Sequence, residues 1–83
     1  MITGIYAIKD AKSAFMSCTV DVNDATAIRN FEHAVRLPDS ILSSHANDFA
    51  LYKVGVYDDG SGEISPVFPP VHLCDAAQCL VKE

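Results

Sequence analysis

Three short segments of the chain carry residue types that can bind metals or catalyse reactions. The first is YDDGSGEIS, residues 57–65, which has the acidic residues and glycines of a calcium-binding loop. An EF-hand loop needs oxygen ligands at its first, third and fifth positions, glycine at the sixth and a bidentate glutamate at the twelfth. With Gly62 at the sixth position, Tyr57 takes the first and Phe68 the twelfth, and the register with Gly60 there fails as well. The segment therefore does not predict a calcium site.

The same segment is typical of a β-hairpin turn. Gly60 and Gly62 can adopt the positive φ that such turns require. Asp58 and Asp59 can accept hydrogen bonds from their own backbone. The sequence predicts a turn that has both features.

The second segment contains His72 and Cys74, with Cys79 a few residues later. Imidazole and thiolate groups are zinc ligands, but the spacing matches no zinc-finger pattern and a fourth ligand is missing. We therefore predict no metal site, and expect two partly buried cysteines beside an exposed histidine.

The third segment, SSHANDF, places His45 near Asp48, two side chains that could act as acid and base. Such polar side chains more often bond loop amides just before a strand, and we predict that structural role. The chain has no glycine-rich phosphate loop and no nucleophile-elbow motif. These patterns predict a protein that is not an enzyme and has no cofactor.

The composition predicts a single globular domain, residues 1–83, without a disulfide framework. Hydrophobic residues make up 49% of the 83 residues and charged residues 20%, and the three cysteines are an odd number. No apolar run approaches the length that spans a bilayer, so no membrane partner is expected. So short a chain buries a limited core, and a homo-oligomer, a dimer or larger, is the expected way to complete it.

The net charge of −5 opposes nucleic-acid binding unless a local patch supplies cations. The basic and aromatic side chains that could form a partner- or DNA-binding surface are Lys9, Arg29, Arg36, Lys53, Tyr6 and Tyr52. Tyr52 and Lys53 are adjacent in one strand and would point to opposite faces of the sheet. One copy therefore cannot place both on the same binding surface, whereas a dimer could bring them together.

The first half of the chain predicts a hairpin and a helix. Residues 2–9 and 14–20 are rich in β-branched and aromatic residues and flank a polar turn. An amphipathic helix follows at 24–36, with Asn23 or Asp24 as its cap and Pro38 as its stop.

The second half predicts a hairpin and a short helical tail. Residues 39–48 form a structured loop, and the strand 49–57 places Phe49, Leu51, Lys53, Gly55 and Tyr57 on one face. Residues 63–68 pair back as an edge strand because Pro66 lacks an amide donor, and Pro69 and Pro70 end it. Asp75 caps a short C-terminal helix. The β-β-α-β-β order predicts an α+β fold, a largely antiparallel sheet packed on one main helix.

The chain resembles the small nonstructural protein of gokushoviruses, the single-stranded-DNA microviruses that infect bacteria. The resemblance covers nearly the whole chain and rests mainly on NDATAIRNFEHAV at 23–35 and SSHANDFALYKVGVYDDGSGEI at 43–64. The sequence departs from the usual pattern at Ala46 and Asn47, where proline and an acidic residue are usual. The resemblance implies an accessory protein of the host bacterial cytoplasm, absent from the capsid, that turns genome replication toward single-strand synthesis and packaging.

Two hypotheses follow for its function. In the first, the protein is a non-enzymatic interaction module that docks on viral replication or procapsid proteins through an apolar sheet face and the side of the helix that carries Arg29 and Arg36. In the second, it binds single-stranded DNA through a basic and aromatic surface formed across a homo-oligomer. The net charge of −5 favours the first hypothesis.

Overall fold

A four-stranded antiparallel sheet carries the helices described for the chain on one of its faces. The computed structural model describes residues 1–80. The elements in chain order are β1 (Ile2–Asp10), β2 (Thr19–Asp21), α1 (Asp24–Arg36), α2 (Ile41–Ser44), a 3-10 turn (Ala46–Asp48), β3 (Phe49–Asp58), β4 (Glu63–Asp75) and α3 (Ala76–Cys79). The strand order is β2-β1-β3-β4, so β2 and β4 are the two edges. The predicted α+β class, antiparallel sheet and C-terminal helical turn are confirmed.

Helix α1 begins and ends where the sequence predicts. The Asn23 side chain caps it by accepting a 2.8 Å hydrogen bond from the Thr26 amide, and the helix stops at Arg36, ahead of Pro38. Its buried face presents Phe31 and Val35 to the sheet. Burying such a side chain contributes roughly 1.5–3 kcal/mol, which is what holds the helix on the sheet.

One hydrophobic core lies between the sheet and the helices. Its buried members come from every layer and include Tyr6, Phe31, Val35, Leu42, Phe49, Leu51, Ala76 and Cys79. Tyr6 and Val35 are fully buried. Because α1, α2 and α3 all contribute to this one cluster, they lie on the same face of the sheet.

Strand β2 is shorter than predicted. The predicted strand 14–20 is reduced to Thr19–Asp21 and an isolated bridge between Lys9 and Phe15. All residues from 11 to 20 are exposed, so no burial enforces a continuous ladder along this segment.

Strand β4 is longer than predicted, because Pro69 and Pro70 do not end it. It runs through the prolines to Asp75. The sheet tolerates them because β4 is an edge strand, as predicted from Pro66, and its outer side needs no amide donors. Between the Lys53–Val71 and Gly55–Pro66 pairs the register shifts, so that residues 67–70 stand opposite Val54 alone.

The segment 39–48 is more regular than the predicted loop. The Ser40 hydroxyl accepts a hydrogen bond from the Leu42 amide and caps α2, and the 3-10 turn follows. Leu42 and Ala46 are buried in the core, and this burial orders a sequence rich in serine and asparagine. The prediction that Asp75 caps α3 is confirmed, and Gln78 completes the cap by accepting a hydrogen bond from the Asp75 amide.

Candidate nucleic-acid interface on the open sheet face

A β-bulge at Val54 decides which side chains share a face. On β1 and β3, Ile5 pairs with Gly55 and Tyr6 pairs with Lys53, so Val54 is an extra residue. An extra residue reverses the alternation beyond it. Phe49, Leu51 and Lys53 share the helix-covered face as predicted, but Gly55 and Tyr57 lie on the opposite face with Tyr52. The prediction for these two residues was wrong because alternation alone does not show a bulge.

The face of the sheet turned away from the helices is here called the open face. The cross-strand pairs place on it Thr3, Ile5, Ala7, Lys9, Val20, Ala50, Tyr52, Gly55, Tyr57, Ile64, Pro66 and His72. Within residues 1–80 no helix covers it, because the buried residues of α1, α2 and α3 belong to the core on the other side.

Lys9, Phe15, Tyr52 and His72 form a contiguous group on the open face, the aromatic cluster. The rings of Phe15 and Tyr52 meet edge to face with centroids 5.6 Å apart, and those of Tyr52 and His72 with centroids 5.4 Å apart. The Lys9 ammonium lies 5.7 Å from the Phe15 centroid and 6.0 Å from the Tyr52 centroid. These distances lie within the range of aromatic pairing and cation–π attraction. The cluster thus holds a cation beside three exposed or half-buried rings.

Asp75 orients His72, the fourth member of the aromatic cluster. The Nε2 atom of His72 and the Oδ1 atom of Asp75 are 2.8 Å apart. This contact holds the imidazole beside the Tyr52 ring, whose centroid lies 5.4 Å from that of His72. His72 was not among the predicted candidates, because only the register of β3 with β4 brings it beside Tyr52.

Tyr6 and Lys53 lie on the other face, under α1. Tyr6 is fully buried, and its hydroxyl donates a 2.6 Å hydrogen bond to Asp24, whose same oxygen lies 3.3 Å from the Lys53 ammonium. Burial, followed by the bond to Asp24, raises the pKa of Tyr6. The bond from Tyr6, aided by Lys53, lowers the pKa of Asp24. Tyr6 is therefore a core residue rather than a stacking ring, and the charge of Lys53 is already paired.

Arg29 and Arg36 lie on α1, away from the open face. Arg29 is exposed. The Nε atom of Arg36 donates a 2.8 Å hydrogen bond to the carbonyl oxygen of Cys79, and this bond ties α1 to α3. The six predicted candidates are thus divided among three places, and only Lys9 and Tyr52 meet on the open face.

Residues 3–79 match the model of a protein family described as Phage ORF5 protein. The chain belongs to this phage protein family. Neither a curated protein nor a solved structure matches it. Among the helices described for this phage protein, none has the length and apolarity needed to cross a membrane.

Cys74 of this phage protein does not share a site with His72. His72 pairs with Tyr52 and Cys74 with Leu51, so the two side chains point to opposite faces of the sheet. Burial is the main cause that raises the pKa of Cys74 to about 12, and it also raises the pKa of Cys79. Both are therefore thiols near neutral pH, which suits packing better than nucleophilic or metal chemistry.

The hairpin turn differs from its prediction in two details. Gly62 has a φ of 81°, but the positive φ predicted for Gly60 is not observed. The Asp58 carboxylate accepts the predicted hydrogen bond from the Gly60 amide, at 2.9 Å. The Asp59 carboxylate instead accepts a hydrogen bond from the Met1 amino group.

Within residues 1–80, no group of three or more histidine, cysteine or acidic side chains is arranged to hold a metal ion.

Proposed function

We propose that this phage protein is a non-enzymatic accessory protein that binds single-stranded DNA through the aromatic cluster. The observation that carries the proposal is the position of the Lys9 ammonium over the rings of Phe15 and Tyr52, on a sheet face that no described helix covers. Stacking of bases on aromatic rings tolerates any base sequence and contributes about 1–3 kcal/mol per base. A cation beside the rings can meet the phosphate that joins two stacked nucleotides.

The acidic hairpin turn lies far from the aromatic cluster, although the chain has a net charge of −5 and the Asp75 carboxylate adjoins His72 in the cluster. The acidic hairpin turn, with Asp58, Asp59 and Glu63, lies at the end of β1 where Ile2 pairs with Asp58. Lys9 lies seven residues further along β1, or roughly 23 Å away at the rise of an extended strand. Because the Debye length is about 8 Å at physiological salt, the turn hardly weakens the attraction of Lys9 for a phosphate.

The resemblance to a viral protein extends the proposal to a stage of the viral life cycle. The resemblance to the gokushovirus nonstructural protein supports a role in replication or packaging of a single-stranded genome in the host bacterial cytoplasm. A protein that coats nascent single strands would keep them from being copied back into duplex, which is the step such a role requires.

The test is fluorescence anisotropy of a labelled oligo-thymidine titrated with the protein across a salt series. Tyr52→Ala should weaken binding roughly 5- to 150-fold, the loss of one stacked base. Lys9→Ala should reduce the slope of log K against log salt by about 0.7, the value of one phosphate contact on a single strand. Arg29→Ala is the matched control, because it removes one charge from the far side of α1 and should leave binding unchanged.

Two results would contradict the proposal. One is wild-type protein that shows no affinity for the oligonucleotide even at low salt. The other is a Tyr52→Ala variant that binds as the wild type does.

A protein-interaction module remains the second candidate, because aliphatic side chains also lie on the open face. Val20 is 55% exposed and Ile64 is 66% exposed. Such residues suit a viral replication or procapsid protein better than a phosphate backbone. This function predicts negligible DNA affinity at physiological salt, and a folded Arg29→Glu variant that fails in infection.

A further inference from the structure

The most exposed large hydrophobic side chain among the described residues projects from an edge of the sheet. Phe68 is 88% exposed and lies in the VFPP stretch, where residues 67–70 stand opposite Val54 alone and leave the regular ladder of β4. Pro66 and Pro69 fix φ on either side of it and limit the freedom of the segment. A large apolar side chain held out in this way contributes little to its own fold and is suited to insertion into a partner.

A cavity of matching chemistry lies at the other edge of the sheet. It has a volume of about 190 Å³ and lies between α1 and the first two strands, where Ile8, Ala27, Phe31 and Ala34 give it an apolar lining. It reaches the surface beside the exposed residues Thr19 and Asn30. An apolar cavity of roughly 150 Å³ is large enough to bind benzene, so this one can take the ring of a phenylalanine.

The two features cannot meet within one molecule. Phe68 belongs to β4, and the cavity lies under β2, which is at the opposite edge in the strand order β2-β1-β3-β4. A contact between a projection and a cavity on different surfaces is heterologous, and it adds copies head to tail instead of closing a two-fold dimer.

We propose that Phe68 of one copy inserts into the cavity under β2 of the next copy, so that the protein assembles edge to edge in a row. The occupant of the cavity is thus a second copy of this chain. In such a row the β4 edge of each copy faces the β2 edge of its neighbour, and the open faces lie side by side. The inference deepens the proposed DNA binding, because adjoining aromatic clusters would follow one strand, but the contact itself does not need DNA.

The first experiment measures mass against protein concentration by sedimentation or light scattering, in the absence of DNA. The wild type should form species beyond the dimer as the concentration rises. Phe68→Ala removes the projection and Ala34→Phe fills the cavity, and each variant alone should remain monomeric. Ile41→Ala and Ala25→Phe are the matched controls, since the first removes another exposed apolar side chain and the second adds a ring to the exposed side of α1. Both controls should assemble as the wild type does.

Mixing the two blocked variants gives the decisive test. Phe68→Ala retains an open cavity and Ala34→Phe retains the projection, so an equal mixture should form heterodimers and nothing larger. This result also shows that neither variant has merely unfolded, and circular dichroism of each variant checks the same point. The inference is overturned if the wild type stays monomeric, if Phe68→Ala assembles like the wild type, or if the mixture does not form heterodimers.

A second readout separates this inference from the proposed function. On a long oligo-thymidine, Phe68→Ala should still bind but lose the cooperativity of the wild type. Normal assembly without any DNA affinity would refute the proposed function and leave the inference standing. DNA binding of equal cooperativity in both proteins would overturn the inference alone.

Discussion

Removal of the Tyr6 hydroxyl should destabilise the fold by about 1.5 kcal/mol. In Tyr6→Phe, the buried ring remains but its 2.6 Å hydrogen bond to Asp24 is lost. Hydrogen bonds to charged groups contribute about 1.5–3 kcal/mol, and we take the low end because the Asp24 side chain is 48% exposed and regains water. In a domain of this size, 1 kcal/mol corresponds to about 4–8 °C, so the melting temperature should fall by roughly 6–12 °C.

The same variant should flatten the dependence of stability on pH at both ends. The pKa of Tyr6 is raised in the folded state, so its contribution is fully present below about pH 10 and is lost as the unfolded chain ionises above it. The pKa of Asp24 is lowered in the folded state, chiefly by Tyr6, so its contribution is present above about pH 4 and is lost as the pH falls further. Tyr6→Phe removes the first contribution and weakens the second.

Urea unfolding followed by circular dichroism measures these effects at acidic, neutral and alkaline pH. Tyr57→Phe is the matched control, since it removes a tyrosine hydroxyl from the open face. A Tyr6→Phe variant with the unfolding free energy and alkaline slope of the wild type would show that the bond between β1 and α1 contributes nothing to stability.

Two further variants test the packing around the core. Gly4→Ala should cost about 3 kcal/mol or more in urea unfolding, because the new Cβ would collide with the ring of Tyr6. Gly62→Ala meets no neighbour and should cost about 1–2 kcal/mol through its φ of 81° alone, so equal losses would refute the collision. Arg36→Met should speed thiol labelling of the buried Cys79 because α3 loses its bond to α1, and unchanged labelling would mean that this bond does not hold α3 in place.

The sequence predicts an element correctly where its local residue pattern agrees with the burial that the fold imposes on it. Helix α1 has a capping residue, an apolar stripe and a proline after its end, and its observed bounds match the prediction. The length of β4 could not be predicted although its edge position was, because only the register with β3 shows that residues 67–70 bulge out opposite Val54 and that pairing resumes at Val71. The sequence of 39–48 is typical of a loop, and only the burial of Leu42 and Ala46 orders it.

The sequence also predicts the candidate site only in part, because the pairing of distant strands decides which side chains share a face. Lys9 and Tyr52 were among the predicted residues, but their proximity depends on the pairing of β1 with β3. Tyr6 has the same residue type as Tyr52 and lies in the core, because it sits on the other face of its strand. The bulge at Val54 moves Tyr57 to the open face, and no residue pattern marks it, since both faces of β3 carry apolar side chains.

If both proposals hold, they explain together how so acidic a chain would bind DNA. One copy presents Lys9 alone in its aromatic cluster, so it can neutralise about one phosphate there and its intrinsic affinity for a single strand must be low. A row of copies joined through Phe68 would multiply such weak contacts along one strand, and the effective concentration of each neighbour would raise the overall affinity without any new cation. The acidic hairpin turns would then line the rim of the row, far from the strand. The salt dependence per bound copy should therefore remain near that of one phosphate contact, however long the row becomes.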